Sequence, residues 1–525
     1  MSKTSARIAF VGGKVWTPGY QVPRDLDVLV EGERIVDVAP SGTLDTEGAA
    51  VVDVAGRLLT PGFQDAHIHM ATGGADLLGC DLAGLDTPEQ VYAKVKEYAS
   101  AHPDLPWIIG GGWNRVLFDY PTGPTKEALD AIVPDRPVAM SPFDRHGLWV
   151  NSAALAAAGV DESTPDPEDG FFRRNEDGSL RGMVEEGAMT TMRAVMPPVT
   201  EETIRASILK AEEYVTSFGI TSVQDALVGE GLGMRDPHAA YAALVAGGGL
   251  RLRVTTALWW EASRGVEQIP ELLARRAELE AAGGPDRVVA DMVKIMVDGS
   301  DTLFIDEQKL RTAILALDAA GFSMHFHSYA DATTRWVLDG IEEAIRVNPA
   351  RERRNHIAHL FVVAGDDFAR FARLGVSANV QGVWAGSPVP HDHIHASNTA
   401  NPEDFEYPFG RLHAAGAPLA AGSDWPVTTP DPFLAVRVAS GALSDPHQLK
   451  SAPTTDHLDA LAMFTAFTSG SAFVNGRGAS TGRIAPGFLA DLAIVDRDVF
   501  AGDDALAAAT VQETWIGGER VFRRD

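Results

Sequence analysis

Cysteine is almost absent. Cys80 is the only one in 525 residues, which excludes an internal disulfide and any metal site built from cysteines, and fits a reducing compartment. Long apolar runs are missing as well. No stretch approaches the eighteen or so uninterrupted apolar residues of a membrane helix, and the opening MSKTSARIAF lacks a signal-peptide pattern. The sequence therefore reads as a soluble, cytoplasmic protein with no membrane partner. Basic residues are scarce: 44 Lys and Arg stand against 72 Asp and Glu, a formal charge of −28. Nucleic acid and anionic membrane both demand a basic footprint, so neither is expected as a partner. There is no internal repeat, low-complexity tract or long charge block.

What remains is ample for a large core, with hydrophobic residues at 45% and spread throughout. The length exceeds one ordinary domain but suits a single α/β barrel with additions. Residues 1–60 alternate short β-rich runs with turn signals, and Glu31-Gly32-Glu33 suits a hairpin. The far end repeats this style around Gly517-Gly518. Both ends together, 1–60 plus 483–525, are read as one small β-sandwich domain, since chain ends often lie close to one another. Between them lies the barrel, 61–482, interrupted after its first strand by an insertion at about 75–180. In that insertion Thr87-Pro88-Glu89-Gln90 opens a helix through about Ser100, with an N-cap, a proline in the first turn and a capping-box glutamine.

Eight strand-like runs follow one another in the barrel region: Gln64 to His69, GITSVQDA, LRVTTALWW, DMVKIMVDG, FSMHFHSYAD, RNHIAHL, VSANVQG and PLAAGSDWPV. Helical patterns separate most of them. Alternation of this kind predicts a parallel sheet, and eight strands predict a closed (β/α)8 TIM barrel with its active site where the strands end.

Polar residues of one chemical type gather at those ends. His67 and His69, two apart on a strand, share a face and can reach one ion. Lys294, His325 or His327, His356 or His359, and Asp424 follow in order. His325 and His327 share a face, so spacing leaves that choice open. His356 and His359, three apart, are expected to face opposite ways, so that only one of them is a ligand. With cysteine excluded, any metal sits on nitrogen and oxygen.

The stretches PGFQDAHIH, SPFDRHGLWVNSAAL, GITSVQDA, VKIMVDGS, HSYADA, IAHL and AAGSDWPV, with the closing GRIAPGFLADLAIVD, together resemble the amidohydrolase superfamily. Within it they resemble the amidohydrolase-3 group, which includes N-substituted formamide deformylases. The resemblance implies a metal-dependent hydrolase that cleaves the C–N bond of a small N-acyl or N-formyl amide through a metal-bridging hydroxide. It selects His327 and His359 from the two histidine pairs and leaves His325 behind the site or in its pocket. It further implies two zinc ions per chain, held by His67, His69, Lys294, His327, His359 and Asp424, and a homodimer. Lys294 would bridge the ions as a carbamate formed with carbon dioxide. That requires a depressed ammonium pKa, which an apolar strand can supply. Asp424 would also carry the proton to the leaving nitrogen.

Other residues fall on the matched stretches. His146 is a candidate for polarising the scissile carbonyl. Arg145 stands where the family normally has glycine, and either offers a cation to the substrate or points outward. Glu186 is a ligand, a supporting residue or an ion-pair partner. Trp113, Trp384 and Trp425 lie on loops near strand ends and either wall an apolar pocket or pack inside. His391, His393 and His395 read as a polar loop in preference to a second metal hook. Two rival readings stand beside the hydrolase: a mononuclear deaminase or cyclic-amide hydrolase of a nitrogen heterocycle, and a non-catalytic protein that senses a metal or ligand.

Overall fold

The eight apolar runs form eight parallel strands, Phe63–Ile68, Ile220–Val228, Arg253–Trp259, Val288–Met296, Ser323–Ser328, His356–His359, Ser377–Val380 and Leu419–Ala421. They pair in chain order. The computed structural model describes residues 7–118, 122–143, 145–167, 170–231, 234–283, 287–299, 303–386, 406–443 and 456–525. The first and second strands are buried along their whole length, as expected of parallel strands covered on both faces. The last strand returns to the first: the Asp424 N–H donates to the His67 carbonyl at 2.7 Å and the His69 N–H to the Trp425 carbonyl at 2.8 Å. The result is a (β/α)8 barrel.

Local sequence sets the helices around it. Asp306 accepts from the Lys309 N–H and starts Glu307–Ala319. Asp331–Val347 turns Val337, Leu338, Ile341 and Ala344 inward at helical spacing. Among the described residues no helix is long and apolar enough to cross a membrane.

Both chain ends contribute to one nine-stranded sheet. Arg24–Glu31 pairs with Lys14–Val15 at its start and with Arg7–Val11 at its end, so the sheet folds over a single core. Phe10, Val28, Val30, Ile494 and Trp515 meet there, with the Phe10 and Trp515 rings edge to face at 5.1 Å. Such a pair adds about 1 kcal/mol beyond its buried area. The hairpin between Val511–Ile516 and Glu519–Arg523 turns on Gly517 and Gly518, both at positive φ (56° and 74°), where side chains are disfavoured.

An ion pair joins this sheet to the barrel. Arg253, fully buried at the start of the third strand, donates through Nε to Asp491 Oδ2 at 2.6 Å and through Nη2 to Oδ1 at 3.0 Å. The Gly517 N–H also donates to Asp491, at 2.8 Å.

By its internal contacts the chain divides into two units, Met1–His69 with Glu212–Asp525, and Met70–Ala211. The second contains the stretch read as an insertion and extends past it at both ends. It is built on a six-stranded sheet. Strand alternation sends Met140, Trp149 and Met183 to one side and Ala139, Leu148 and Val184 to the other, giving two separate cores. The helix Pro88–Ala101 covers the first of these, and its N-terminus is capped as expected by Thr87, which accepts from the Gln90 N–H.

Candidate metal centre

His67, His359 and Asp424 come together at the strand ends, each buried, with one potential ligand atom apiece all within 4.8 Å of one another. Asp424 Oδ1 lies 3.1 Å from His69 Nε2 and 3.4 Å from His67 Nε2. The His327 ring packs 4.3 Å from that of His359. Lys294 is 3% exposed on the fourth strand, beside His325 in register. The histidines, the lysine and the aspartate named from the barrel strands thus share one strand-end region.

Two of these positions use unusual backbone. His359 has φ of 76° and Asp424 φ of 59°, a region that side-chain-bearing residues rarely adopt and that collects at functional sites. The turn at His359 also corrects the expectation of opposite faces. Because the strand leaves regular geometry there, His356 and His359 both point inward. His356 lies deeper, its ring 4.1 Å from that of His325.

Burial governs the charges. It lowers the imidazoles of His325, His356 and His359 well below their ordinary range and brings His67, also under the influence of Lys294, down to about 3. These rings are neutral near pH 7. Burial alone would raise Asp424, but the neighbouring imidazole groups, His69 Nε2 at 3.1 Å among them, hold its carboxyl well below the usual range, so it is anionic. Burial brings the Lys294 ammonium down to about 7, against a smaller opposing pull from Asp424.

This donor set fits a divalent cation. Neutral imidazoles and a carboxylate are the ligands expected when sulfur is missing. Moreover Asp424 Oδ1, His69 Nδ1 and His359 Nδ1 are buried without a hydrogen-bond partner among the described residues, whereas buried polar atoms are ordinarily paired.

Residues that spacing did not reveal hold the ligands in place. Asp298 accepts from the Tyr329 N–H at 2.9 Å and the Ala330 N–H at 3.0 Å, and lies 3.4 Å from His327 Nδ1. A carboxylate behind a histidine in this way orients the ring. The Gln381 amide oxygen accepts the His359 N–H at 2.7 Å. A cavity of about 540 Å³ opens at the ends of the third and fourth strands, lined among others by Trp259, Trp260, Met296 and Phe304. Trp259 sits opposite Lys294 in register.

The remaining candidates divide. The Trp384 ring lies 5.0 Å from that of His359, and Trp425 packs on Tyr214 at 5.3 Å. Trp113 is different: it is fully buried in the core of the 70–211 unit, its Nε1 donating to the Met140 carbonyl, so it packs inside and walls no pocket. In the same unit Arg145 is engaged by Asp76 through a two-pronged ion pair, which takes up the cation considered for a substrate. Its φ of 67° gives a reason for glycine at that position in the resembled family. His146 and Glu186 pair at 2.8 Å and are both more than half exposed. His391, His393 and His395 lie outside the described residues.

Comparison with known proteins agrees with this picture. The profile of the amidohydrolase family matches residues 50–522. The chain is 27% identical to YtcJ of Bacillus subtilis strain 168 over 487 residues, covering 90% of each. It is 24% identical to the N-substituted formamide deformylase of Arthrobacter pascens, covering 95% of each. Among solved structures, an uncharacterized metal-dependent hydrolase from Pyrococcus horikoshii OT3 superposes with a TM-score of 0.71 at 22% identity, over 95% of this chain and 99% of that one. The last likeness is one of fold.

Proposed function

Because the chain belongs to the amidohydrolase family, we propose that it hydrolyses the C–N bond of a small N-acyl or N-formyl amide with divalent metal, two zinc ions per chain. The observation that carries this reading is the convergence of His67, His359 and Asp424 within 4.8 Å, with Asp424 Oδ1 and His359 Nδ1 buried and unpaired. The name of the Arthrobacter pascens relative supports the substrate class.

His67, His69 and Asp424 would hold one ion and His327 and His359 the other. Lys294 would be a further ligand once its neutral amine attacks carbon dioxide and loses a proton to give a carbamate. Bound metal supplies a Lewis acid that polarises the amide carbonyl and makes water a usable nucleophile at neutral pH. Asp424 stays anionic through its imidazole neighbours, so it can accept the proton of the attacking water and return it to the departing nitrogen. Trp384 and the cavity beside Trp259 would shelter the apolar part of the substrate from water.

A second reading, a single metal and a deaminase or cyclic-amide hydrolase, would need only the three-residue cluster and neither Lys294 nor a second ion. Elemental analysis of protein purified without chelator, in bicarbonate buffer, separates the two. About two metals per chain with turnover of N-formyl amides supports the hydrolase, one metal supports the rival, and none after reconstitution overturns both.

A further inference from the structure

A chain of buried hydrogen bonds runs from the candidate metal centre into the barrel and out to its seventh strand. His67 Nδ1 lies 2.8 Å from His325 Nε2, and His325 Nδ1 lies 2.7 Å from Gln224 Oε1. The same oxygen is 2.9 Å from His356 Nε2, and His356 Nδ1 is 3.0 Å from Asn379 Nδ2. All five residues are fully or almost fully buried.

Groups outside the rings decide where its protons are. A backbone carbonyl only accepts, so the Asn379 amide nitrogen must face Ala66 O, at 3.0 Å. The same nitrogen donates to His356 Nδ1, which leaves the His356 proton on Nε2. Independently, the Gln224 amide nitrogen faces the Val474 carbonyl at 3.4 Å and Asn475 Oδ1 at 3.2 Å, which turns the Gln224 oxygen toward the two histidines. A third anchor agrees. Gln381 accepts the His359 N–H through Oε1 and must therefore donate through Nε2 to Asn379 Oδ1, at 2.9 Å.

With Gln224 Oε1 accepting from both rings, neutral His325 carries its proton on Nδ1 and offers a bare Nε2. His67 must then donate from Nδ1, leaving its own Nε2 lone pair free on the side of Asp424. We infer that Gln224 is a positioning residue, which fixes the tautomer of His67 through His325 and so presents His67 Nε2 as a ready metal ligand. Without that acceptor His325 can move its proton to Nε2 and donate to His67 Nδ1. His67 then carries its proton on Nε2 and points it at Asp424, closing the site on itself.

Only the consequence for metal rests on the proposed function, since the proton positions belong to the metal-free protein. The test is long-range 1H–15N correlation on metal-free, 15N-histidine-labelled enzyme, with assignment by His325→Gln and His356→Gln. The expected pattern is Nδ1–H on His67 and His325 and Nε2–H on His356; Nε2–H on His67 would overturn the inference. Gln224→Leu removes the acceptor at similar volume, and Gln224→Glu keeps it. The Leu variant should move the His67 proton and weaken zinc binding, read by competition with a chromophoric chelator, by about 10- to 100-fold. The Glu variant should retain the wild-type ring pattern and most of the affinity. Equal affinities in the two folded variants would show that Gln224 merely fills space.

Discussion

At the start of the third strand Arg253 and Asp491 are removed from water and satisfy one another through two hydrogen bonds. At the finish of the first, sixth and eighth strands His67, His359 and Asp424 are equally removed from water, yet Asp424 Oδ1 and His359 Nδ1 find no hydrogen-bond partner among the described residues. Both sets are buried, polar and held by backbone contacts. The difference is whether they close upon themselves. A closed pair holds two parts of the fold together, whereas an open set carries unmet demand for a ligand, and a barrel keeps these two tasks at opposite ends of its strands.

Substitutions can separate the two ends. The largest effect is expected at the open end: Asp424→Asn should lower turnover by about 10³-fold while metal content and thermal midpoint stay close to wild type. Elemental analysis and a melt beside the rate assay check this, and a matching loss of metal would blur the distinction. Asp491→Ala should do the reverse. It removes the carboxylate that takes two hydrogen bonds from the buried Arg253 and should cost about 3 kcal/mol in urea unfolding, with the specific activity of the folded fraction kept. Chelation comes next. Metal at a hundred times its Kd contributes about 2.7 kcal/mol, and the same decrement is expected in wild type and Asp491→Ala, because the two ends act independently.

The pH dependence follows from Lys294. Its ammonium is brought down to about 7 in the fold from an ordinary 10.5, so between those values the unfolded chain binds one proton more. Stability of the metal-free protein should then rise with pH across that window, by about 1.4 kcal/mol from pH 8 to 9. Denaturant melts of wild type and Lys294→Met check it, since the variant should lose that increment. The smallest effect is expected at Trp384. Its replacement by Ala removes one ring contact to His359, worth about 1 kcal/mol, and should raise KM about fivefold with kcat nearly unchanged.

Much of the barrel was legible in the residues because a parallel strand covered on both faces writes itself as a short apolar run, and a histidine or lysine within such a run is conspicuous. Lys294 between Val293 and Ile295 is an example. What could not be read depends on backbone and on partners distant in the chain. Strand alternation placed His356 and His359 on opposite faces, and the φ of 76° at His359 undoes that rule. Asp298 closes the run DMVKIMVDG with nothing in the spacing to name its partner, and only the fold brings it to His327. Gln224, His325, His356 and Asn379 come from four strands with no shared spacing. For Trp113 the sequence left pocket wall and inward packing open, and the core of the 70–211 unit decides for packing.

The strand Leu58–Pro61 pairs on one side with Lys14–Val15, made shortly before it, and on the other with Leu492–Val495, made after the whole barrel. During synthesis its second partner does not exist until the whole barrel has been made. Folding ahead of the barrel during translation is therefore closed to this small sheet, and an unpaired row of N–H and C=O groups waits while the barrel is made. The sheet is sealed only after the last strands emerge, which makes the nascent chain, and not the mature enzyme, the form most exposed to mispairing.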